Sequence, residues 1–409
     1  MTRSYELSGF GRVPGVRENA MNEVLERVGA WAEALAGEAA ASDKLGRLTD
    51  RTVQVMRETG VVRLLQPADF GGYEAHPNDF IEAVMATACA APAAGWVAGV
   101  VGVHPWEIAM MDPRLQEEIW GENPDTWAAS PYAPFGQAVP VDGGFILSGR
   151  WPYSSGTDHC DWVVLGGIVD HGKAAKPGPP DVCHFVIPRT DYEIVDDSWN
   201  VMGLLGTGSK DVRMEGVFIP EYRVVEGAKM NEGGYEFRRP GKTLYQLKFP
   251  LMFSAAIGAA TQGIAQGALA AFRDYMANRV SVDGVVAKLD PAQLLAYGEA
   301  AAEISASRAH LLSITAELYD YLAKGGQVSR SQRLAFRRDQ VRASRRAVDA
   351  IDSLFKMSGG SGIHTSFPLE RYWRDLQTAN VHICNIQSNI YTNWASDDLT
   401  GESNPALFV

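Results

Sequence analysis

A serine-rich turn and two isolated histidines are the residues best placed by type and spacing to do chemistry. The segment Ser148-Gly149-Arg150-Trp151-Pro152-Tyr153-Ser154-Ser155-Gly156-Thr157-Asp158-His159 ends a strand-like run and enters a turn. Ser154 and Ser155 beside Gly156 can offer hydroxyls and backbone N–H groups to the polar edge of a flat heterocycle. Trp151 and Tyr153 can supply ring contact. The same residues also suit an ordinary serine-rich turn. His104, in Val101-Gly102-Val103-His104-Pro105-Trp106, is a lone imidazole in an apolar helical stretch. It suits proton handling or a satisfied place in the core. His382 lies seven residues after Arg374-Asp375, on what reads as a bundle helix. Seven arginines between Arg330 and Arg346 spread around their helix. They read as a solvated or inter-subunit salt-bridge face rather than an anion site.

Familiar reductant and metal motifs are missing. There is no GxxxxGK[ST], no HExxH and no GxSxG. Gly203-Leu204-Leu205-Gly206-Thr207-Gly208 has the wrong spacing for a dinucleotide fingerprint, and no βαβ frame surrounds it. A Rossmann-type nicotinamide site is therefore not expected. Cys89, Cys160, Cys183 and Cys384 form no CxxC pair. Reduced thiols in the cytoplasm are the expectation, and no apolar leader is visible after Met1.

Three blocks of elements must position these residues. Residues 1–125 read as a helical N-terminal domain. Val24, Leu25, Val28, Trp31, Ala32 and Leu35 recur at helical spacing. Thr49-Asp50 and Asn78-Asp79 read as helix starts, and Pro113 suits a first turn. Residues 126–240 read as a small β-barrel or sandwich of short strands. Asp142-Gly143 signals a type I′ hairpin, and His171–Pro180 reads as a surface loop. Residues 241–409 return to helix in four long segments, the pattern of a four-helix bundle. The fold class is α+β, multidomain.

The chain has 409 residues with 37 Lys+Arg against 49 Asp+Glu, a net charge of −12. Such a chain repels phosphate backbones, so no nucleic-acid partner is expected. The most membrane-like stretch, Phe249–Phe272, carries Gln262 and Gln266 on one face, with Gly263 and Gly267 at small-xxx-small spacing. It reads as a tightly packed soluble helix, so no membrane partner is expected. The 10 Trp, 14 Tyr and 15 Phe are the compositional oddity. Six tryptophans fall between Trp96 and Trp162, which suggests an aromatic pocket as readily as a packed core.

These pieces resemble a known family. The order and spacing of Leu64-Leu65-Gln66-Pro67, Phe70-Gly71-Gly72, Gly95-Trp96-Val97, Ser130-Pro131-Tyr132-Ala133-Pro134, Ser154-Ser155-Gly156-Thr157-Asp158-His159, Arg338-Asp339-Gln340-Val341-Arg342-Ala343 and Arg371-Tyr372-Trp373-Arg374-Asp375 are similar to those of the acyl-CoA-dehydrogenase-like flavin monooxygenases. Within that family the chain looks most like the oxygenase component that hydroxylates 3-hydroxy-9,10-secoandrostatriene-dione in steroid degradation. The resemblance runs nearly the whole length and fades after His382. It implies a homotetramer that uses reduced FMN or FAD, delivered by a separate NAD(P)H-dependent flavin reductase. It also implies oxygen transfer through a flavin C4a-hydroperoxide to a small phenolic or polycyclic aromatic substrate.

The resemblance further implies roles for residues. Ser155 matches a serine that hydrogen-bonds the flavin N5 region. His382 matches a histidine near the flavin–oxygen adduct, and His104 one on the substrate side. Trp151, Ser154, Thr207 and Ser209 become cofactor-binding candidates, with Arg279 as the phosphate contact, from a neighbouring subunit if not its own. Trp96, Ser130 and Tyr132 become substrate-binding candidates. Where acyl-CoA dehydrogenases carry a Tyr-Glu-Gly base, this chain has Val381-His382-Ile383, so thioester dehydrogenation lacks its glutamate. Other readings on the same fold are an aromatic polyketide hydroxylase and an amino-sugar N-oxygenase.

Overall fold

The computed structural model describes residues 23–172, 180–280, 284, 286–405 and 407–409. The N-terminal segment up to residue 22, where no apolar leader is expected, and most of the His171–Pro180 loop lie outside them.

Five helices open the described chain: α1 (Glu23–Leu45), α2 (Asp50–Thr59), α3 (Pro77–Ala90), α4 (Pro92–Ile108) and α5 (Pro113–Trp120). Thr49 caps α2 through its side chain, which accepts the Thr52 N–H. The cap of α3 falls two residues earlier than Asn78: the His76 imidazole accepts the Asn78 N–H, and Pro77 takes the first helical position. Every residue of α4 is buried. A helix apolar on all sides belongs inside a protein rather than on its surface, and α4 runs through the centre against α3 and the first bundle helix. Functional groups on α4 are therefore held by packing from every direction.

Eight strands follow: β1 (Ala128–Ala129), β2 (Gly136–Val141), β3 (Gly144–Ser154), β4 (Trp162–Val169), β5 (Val182–Pro188), β6 (Glu193–Val195), β7 (Lys210–Pro220) and β8 (Val224–Glu226). They form one sheet in the order β6-β7-β3-β2-β4-β5-β8, with β1 beside β4. The β2–β3 hairpin closes at Val141 and Gly144 as expected. Its turn is not type I′, because Gly143 is left-handed (φ 74°) and Asp142 is not; a type I′ turn needs positive φ at both positions.

After a short α6 (Gly227–Asn231), the chain returns to long helices: α7 (Phe249–Asn278), α8 (Pro291–Ala323), α9 (Arg330–Met357), α10 (Pro368–Asn380) and α11 (Gln387–Thr400). Helix α7 packs on α3, α4, α8, α9 and α10. Its small-xxx-small face is used inside the chain: a Cβ on Gly263 would come within 2.3 Å of the Met85 carbonyl oxygen. No helix among the described residues is long and apolar enough to cross a membrane.

Candidate active site

The serine turn owes its geometry to a bulge. Trp151 pairs with Val212, but the next pairing joins Ser154 to Lys210, so β3 carries one residue more than β7 there. Tyr153 takes the strain in a left-handed conformation (φ 71°) and points to solvent. Ser154 and Ser155 are consequently both buried. The Ser155 N–H donates to the Tyr153 carbonyl and the Gly156 N–H to the Thr207 carbonyl. The backbone donors expected to meet a heterocycle are therefore already spent. What remains is the Ser155 hydroxyl, which receives the Trp96 indole N–H at 3.2 Å and lies 2.7 Å from the Ser209 hydroxyl. Ser209 in turn lies 2.7 Å from the Thr207 hydroxyl. The Ser154 hydroxyl has no partner among the described residues.

Thr207 and Ser209 belong to a turn suspended from two helices. Asp375 on α10 accepts the Leu204 N–H at 2.5 Å, and Asp43 on α1 accepts the Gly206 N–H at 3.2 Å. Arg371 and Arg374 bracket Asp43. A Cβ on Gly203 would fall 2.3 Å from the Arg374 carbonyl oxygen, so only glycine lets the turn lie this close to α10. Burial and the nearby Asp43 raise the Asp375 pKa above the ordinary carboxylate range.

His382 is not on a helix. The fourth long segment breaks after Asn380, and His382 starts the connection to α11. Its Nδ1 accepts the Cys384 N–H at 3.2 Å. That bond, together with the Asn385 side chain donating to the Ala379 carbonyl, makes a turn more favourable than continued helix. Because Nδ1 is an acceptor, the neutral ring carries its proton on Nε2. Burial, with a smaller contribution from Arg337, pushes the pKa down to about 4, so the ring is neutral at physiological pH. It meets the edge of Trp96 at 5.5 Å and Phe253 at 6.1 Å.

His104 has the opposite polarity. Its Nδ1 lies 2.6 Å from the Ala128 carbonyl oxygen, so Nδ1 carries the proton. Nε2 is left as a buried acceptor with no partner among the described residues. Burial lowers this pKa also to about 4. Beside it, Tyr132 sits 5.6 Å from the His104 ring, 5.0 Å from Phe249 and 5.3 Å from Phe253. The Tyr132 hydroxyl donates to Glu107 at 2.5 Å and is bonded by Ser130. Its pKa is well above normal, from burial and the adjacent carboxylate. Glu107 also holds His184 Nδ1 at 2.5 Å. Rings therefore run continuously from Trp96 through His382, Phe253 and Tyr132 to His104, and Phe408 packs on Phe249 and Phe253.

Comparison with known proteins places this arrangement. The family described as "Acyl-CoA dehydrogenase, C-terminal domain" matches residues 255–386. The chain is 43% identical to a pigment production hydroxylase of Rhodococcus erythropolis, over 90% of this chain and 94% of that protein. It is 38% identical to the flavin-dependent monooxygenase oxygenase subunit HsaA of Rhodococcus jostii, over 91% and 97%. It is 32% identical to the oxygenase component of p-hydroxyphenylacetate 3-hydroxylase of Acinetobacter baumannii, over 88% and 85%. The crystal structure of 3-HSA hydroxylase from Rhodococcus sp. RHA1 superposes with a TM-score of 0.88 at 37% identity, covering 94% of this chain and 99% of that one. The chain belongs to the acyl-CoA-dehydrogenase-like flavin-dependent monooxygenases.

Not every residue singled out for a flavin monooxygenase is in the cluster. Trp151 is fully buried, and its indole N–H is spent on the Gly166 carbonyl. It is a core residue of the sheet, because the bulge turns only the residues after it. The other tryptophans of the rich stretch are likewise committed: Trp106 to the Leu244 carbonyl, Trp120 to the Thr126 carbonyl and Trp127 to Asp125, while Trp162 stacks under Arg223. Among those six, Trp96 alone donates to the serine turn. Arg279 bonds the Ser358 carbonyl at the end of α9 and lies over the Tyr275 ring. Nor is the arginine-rich face of α9 wholly solvated. Arg333 and Arg337 are buried, the first on Glu232 and the second on the Cys384 carbonyl beside His382.

Sequence reasoning missed Glu107, His184, Phe249, Phe253 and Phe408. Glu107 carried a usable signal: it is the single charge in an otherwise apolar run from Val97 to Ile108, and such a charge needs partners.

Proposed function

We propose that this flavin-dependent monooxygenase hydroxylates a phenolic or polycyclic aromatic compound, a steroid-derived phenol or one of similar shape. Reduced FMN or FAD would come from a separate NAD(P)H-dependent reductase, and a homotetramer is the expected assembly. The observation that carries the reading is the pairing of two neutral histidines of opposite polarity, a bare Nε2 acceptor on His104 and an Nε2–H donor on His382, at the two ends of one aromatic wall.

The residues fit a flavin and a flat substrate. Ser155 is a buried polar atom next to the indole of Trp96, and His104 Nε2 is an orphaned acceptor. Aromatic faces with a few convergent polar groups are what planar ligands require. Reduced flavin, when bound, would supply the electrons that activate dioxygen, one atom of which goes to the substrate and the other to water. Ser155 holds the polar edge of the cofactor. The Phe249, Phe253 and Tyr132 rings exclude water and align the substrate plane. His104 Nε2 accepts the phenol O–H, which raises electron density at the ortho carbon. His382 Nε2–H donates to oxygen as negative charge develops on it. Glu107 holds Tyr132 and His184 in place. Thr207 and Ser209 support Ser155, Ser130 supports Tyr132, the unpartnered Ser154 hydroxyl is assigned to the cofactor, and Arg279 is assigned to the flavin phosphate across a subunit boundary.

The deciding experiment supplies the protein with chemically reduced FMN or FAD, ¹⁸O-labelled dioxygen and a panel of phenols. Labelled catechol that appears only with reduced flavin is the expected result. Failure with both flavins across the panel overturns the reading. A nucleotide amino sugar oxidised in place of every phenol would favour N-oxygenation.

A further inference from the structure

The hydroxyls of Thr207, Ser209 and Ser155 form a chain whose proton direction is fixed by geometry. The Thr207 hydroxyl lies 2.7 Å from the Leu204 carbonyl oxygen. A carbonyl has no proton to give, so the Thr207 proton must lie on that contact. Thr207 then cannot donate to Ser209, and the 2.7 Å contact between them is filled by the Ser209 proton. Ser209 then cannot donate to Ser155, and their 2.7 Å contact is filled by the Ser155 proton. One Ser155 lone pair takes the Trp96 indole N–H. Each hydroxyl carries one proton and two lone pairs, so Ser155 is left with a single acceptor position and no donor. The neighbouring backbone N–H groups of Ser155 and Gly156 are also spent.

We infer that Thr207 and Ser209 are positioning residues that lock Ser155 as a hydrogen-bond acceptor, and that the site thereby selects the reduced cofactor. Reduced flavin presents an N–H at N5, whereas oxidised flavin presents a bare nitrogen lone pair there. An acceptor-locked Ser155 pairs with the first and faces the second lone pair to lone pair. The turn suspended from Asp375 and Asp43 thus acts at a distance on the redox state that the site will hold. This inference rests on the proposal that Ser155 meets the flavin N5 edge.

The test measures dissociation constants of oxidised and anaerobically reduced FMN and FAD, and takes their ratio for each variant. Ser209→Ala removes the Ser155 proton's acceptor and lets that proton swing to the cofactor. Thr207→Val frees the Ser209 proton, which can then satisfy Ser155 and release the Ser155 proton in turn. Both variants are expected to lower the oxidised-to-reduced ratio by about tenfold, the scale of one hydrogen bond gained or lost. Thr207→Ser keeps the chain and is expected to keep the wild-type ratio. General loosening of the turn would weaken both redox states together and leave the ratio unmoved, so an unchanged ratio in Ser209→Ala and Thr207→Val overturns the inference. Ser155→Ala separates the two levels. If it alone shifts the ratio, Ser155 meets N5 but the chain does not orient it. If it too leaves the ratio unchanged, the placement of Ser155 at N5 fails.

Discussion

The carboxylate of Asp375 accepts the backbone N–H of Leu204 across 171 positions of sequence. This bond, with Arg374 donating to the Met202 carbonyl, ties α10 of the bundle to the turn that carries Thr207 and Ser209. Leu204 is itself left-handed (φ 54°), a conformation a leucine keeps only when its surroundings impose it. Asp375→Ala should leave the Leu204 N–H buried without an acceptor and cost roughly 1–3 kcal/mol. Asp375→Asn keeps the acceptor. Because the Asp375 pKa is raised in the folded state, wild-type stability must fall as pH rises through and above the ordinary carboxylate range. The asparagine variant lacks that loss. Thermal melts should show its advantage over wild type growing from acid to neutral pH; a constant difference across pH would contradict the assignment.

Ser155→Ala should uncouple oxygen use from product. Loss of the hydrogen bond at the cofactor edge is expected to raise hydrogen peroxide released per turnover by about tenfold. Paired peroxide and product assays check this. Full coupling in the variant would remove Ser155 from its role.

His104 is expected to read the substrate hydroxyl. Methylating the phenol removes the proton that Nε2 accepts and should weaken wild-type binding by about tenfold or more. In His104→Leu the free phenol and its methyl ether should bind within about threefold of each other, at unchanged affinity for reduced flavin. Titrating both ligands into both proteins gives the full cycle.

His382→Ala should lower hydroxylation by roughly 10²-fold, the usual effect of deleting one donor aimed at developing oxygen charge, while reduced flavin still binds. Both histidines also set an acid limit. In each, burial pushes the pKa from the ordinary 6.5 down to about 4. Between those values the unfolded chain binds protons that the folded chain does not, so stability is complete above pH 6.5 and declines as pH falls toward 4. The Asp375 effect has the opposite sign in that window, so the contributions are separated by variant. His104→Gln, which can still donate to the Ala128 carbonyl, should flatten the decline.

Much of the architecture was legible because it rests on local signals. The Thr49 cap, the first-turn Pro113, the Asp142-Gly143 hairpin and the long bundle helices all announce themselves within a few residues. The candidate site was legible only in part. Ser155, His104 and His382 stood out by type and spacing and took their roles from the resemblance, through which Trp96 also entered, and the structure does bring Ser155 and Trp96 into contact. Trp151 lies before the bulge, buried in the sheet with its indole N–H on the Gly166 carbonyl, and no local pattern separates it from the residues that the bulge turns. Phe249 and Phe253 look like any apolar pair at helical spacing; only the tertiary packing brings their rings against Tyr132, His184 and His382. His382 was read as helical because the break depends on its own side chain folding back to Cys384.

The extra residue at Tyr153 makes the site a matter of parity. Residues of a strand alternate between faces, so each insertion or deletion between Trp151 and Ser155 exchanges inside for outside. An even change would restore the sense of the strand, and an odd one would not. Two-residue edits to the end of β3 should therefore be tolerated better than single ones.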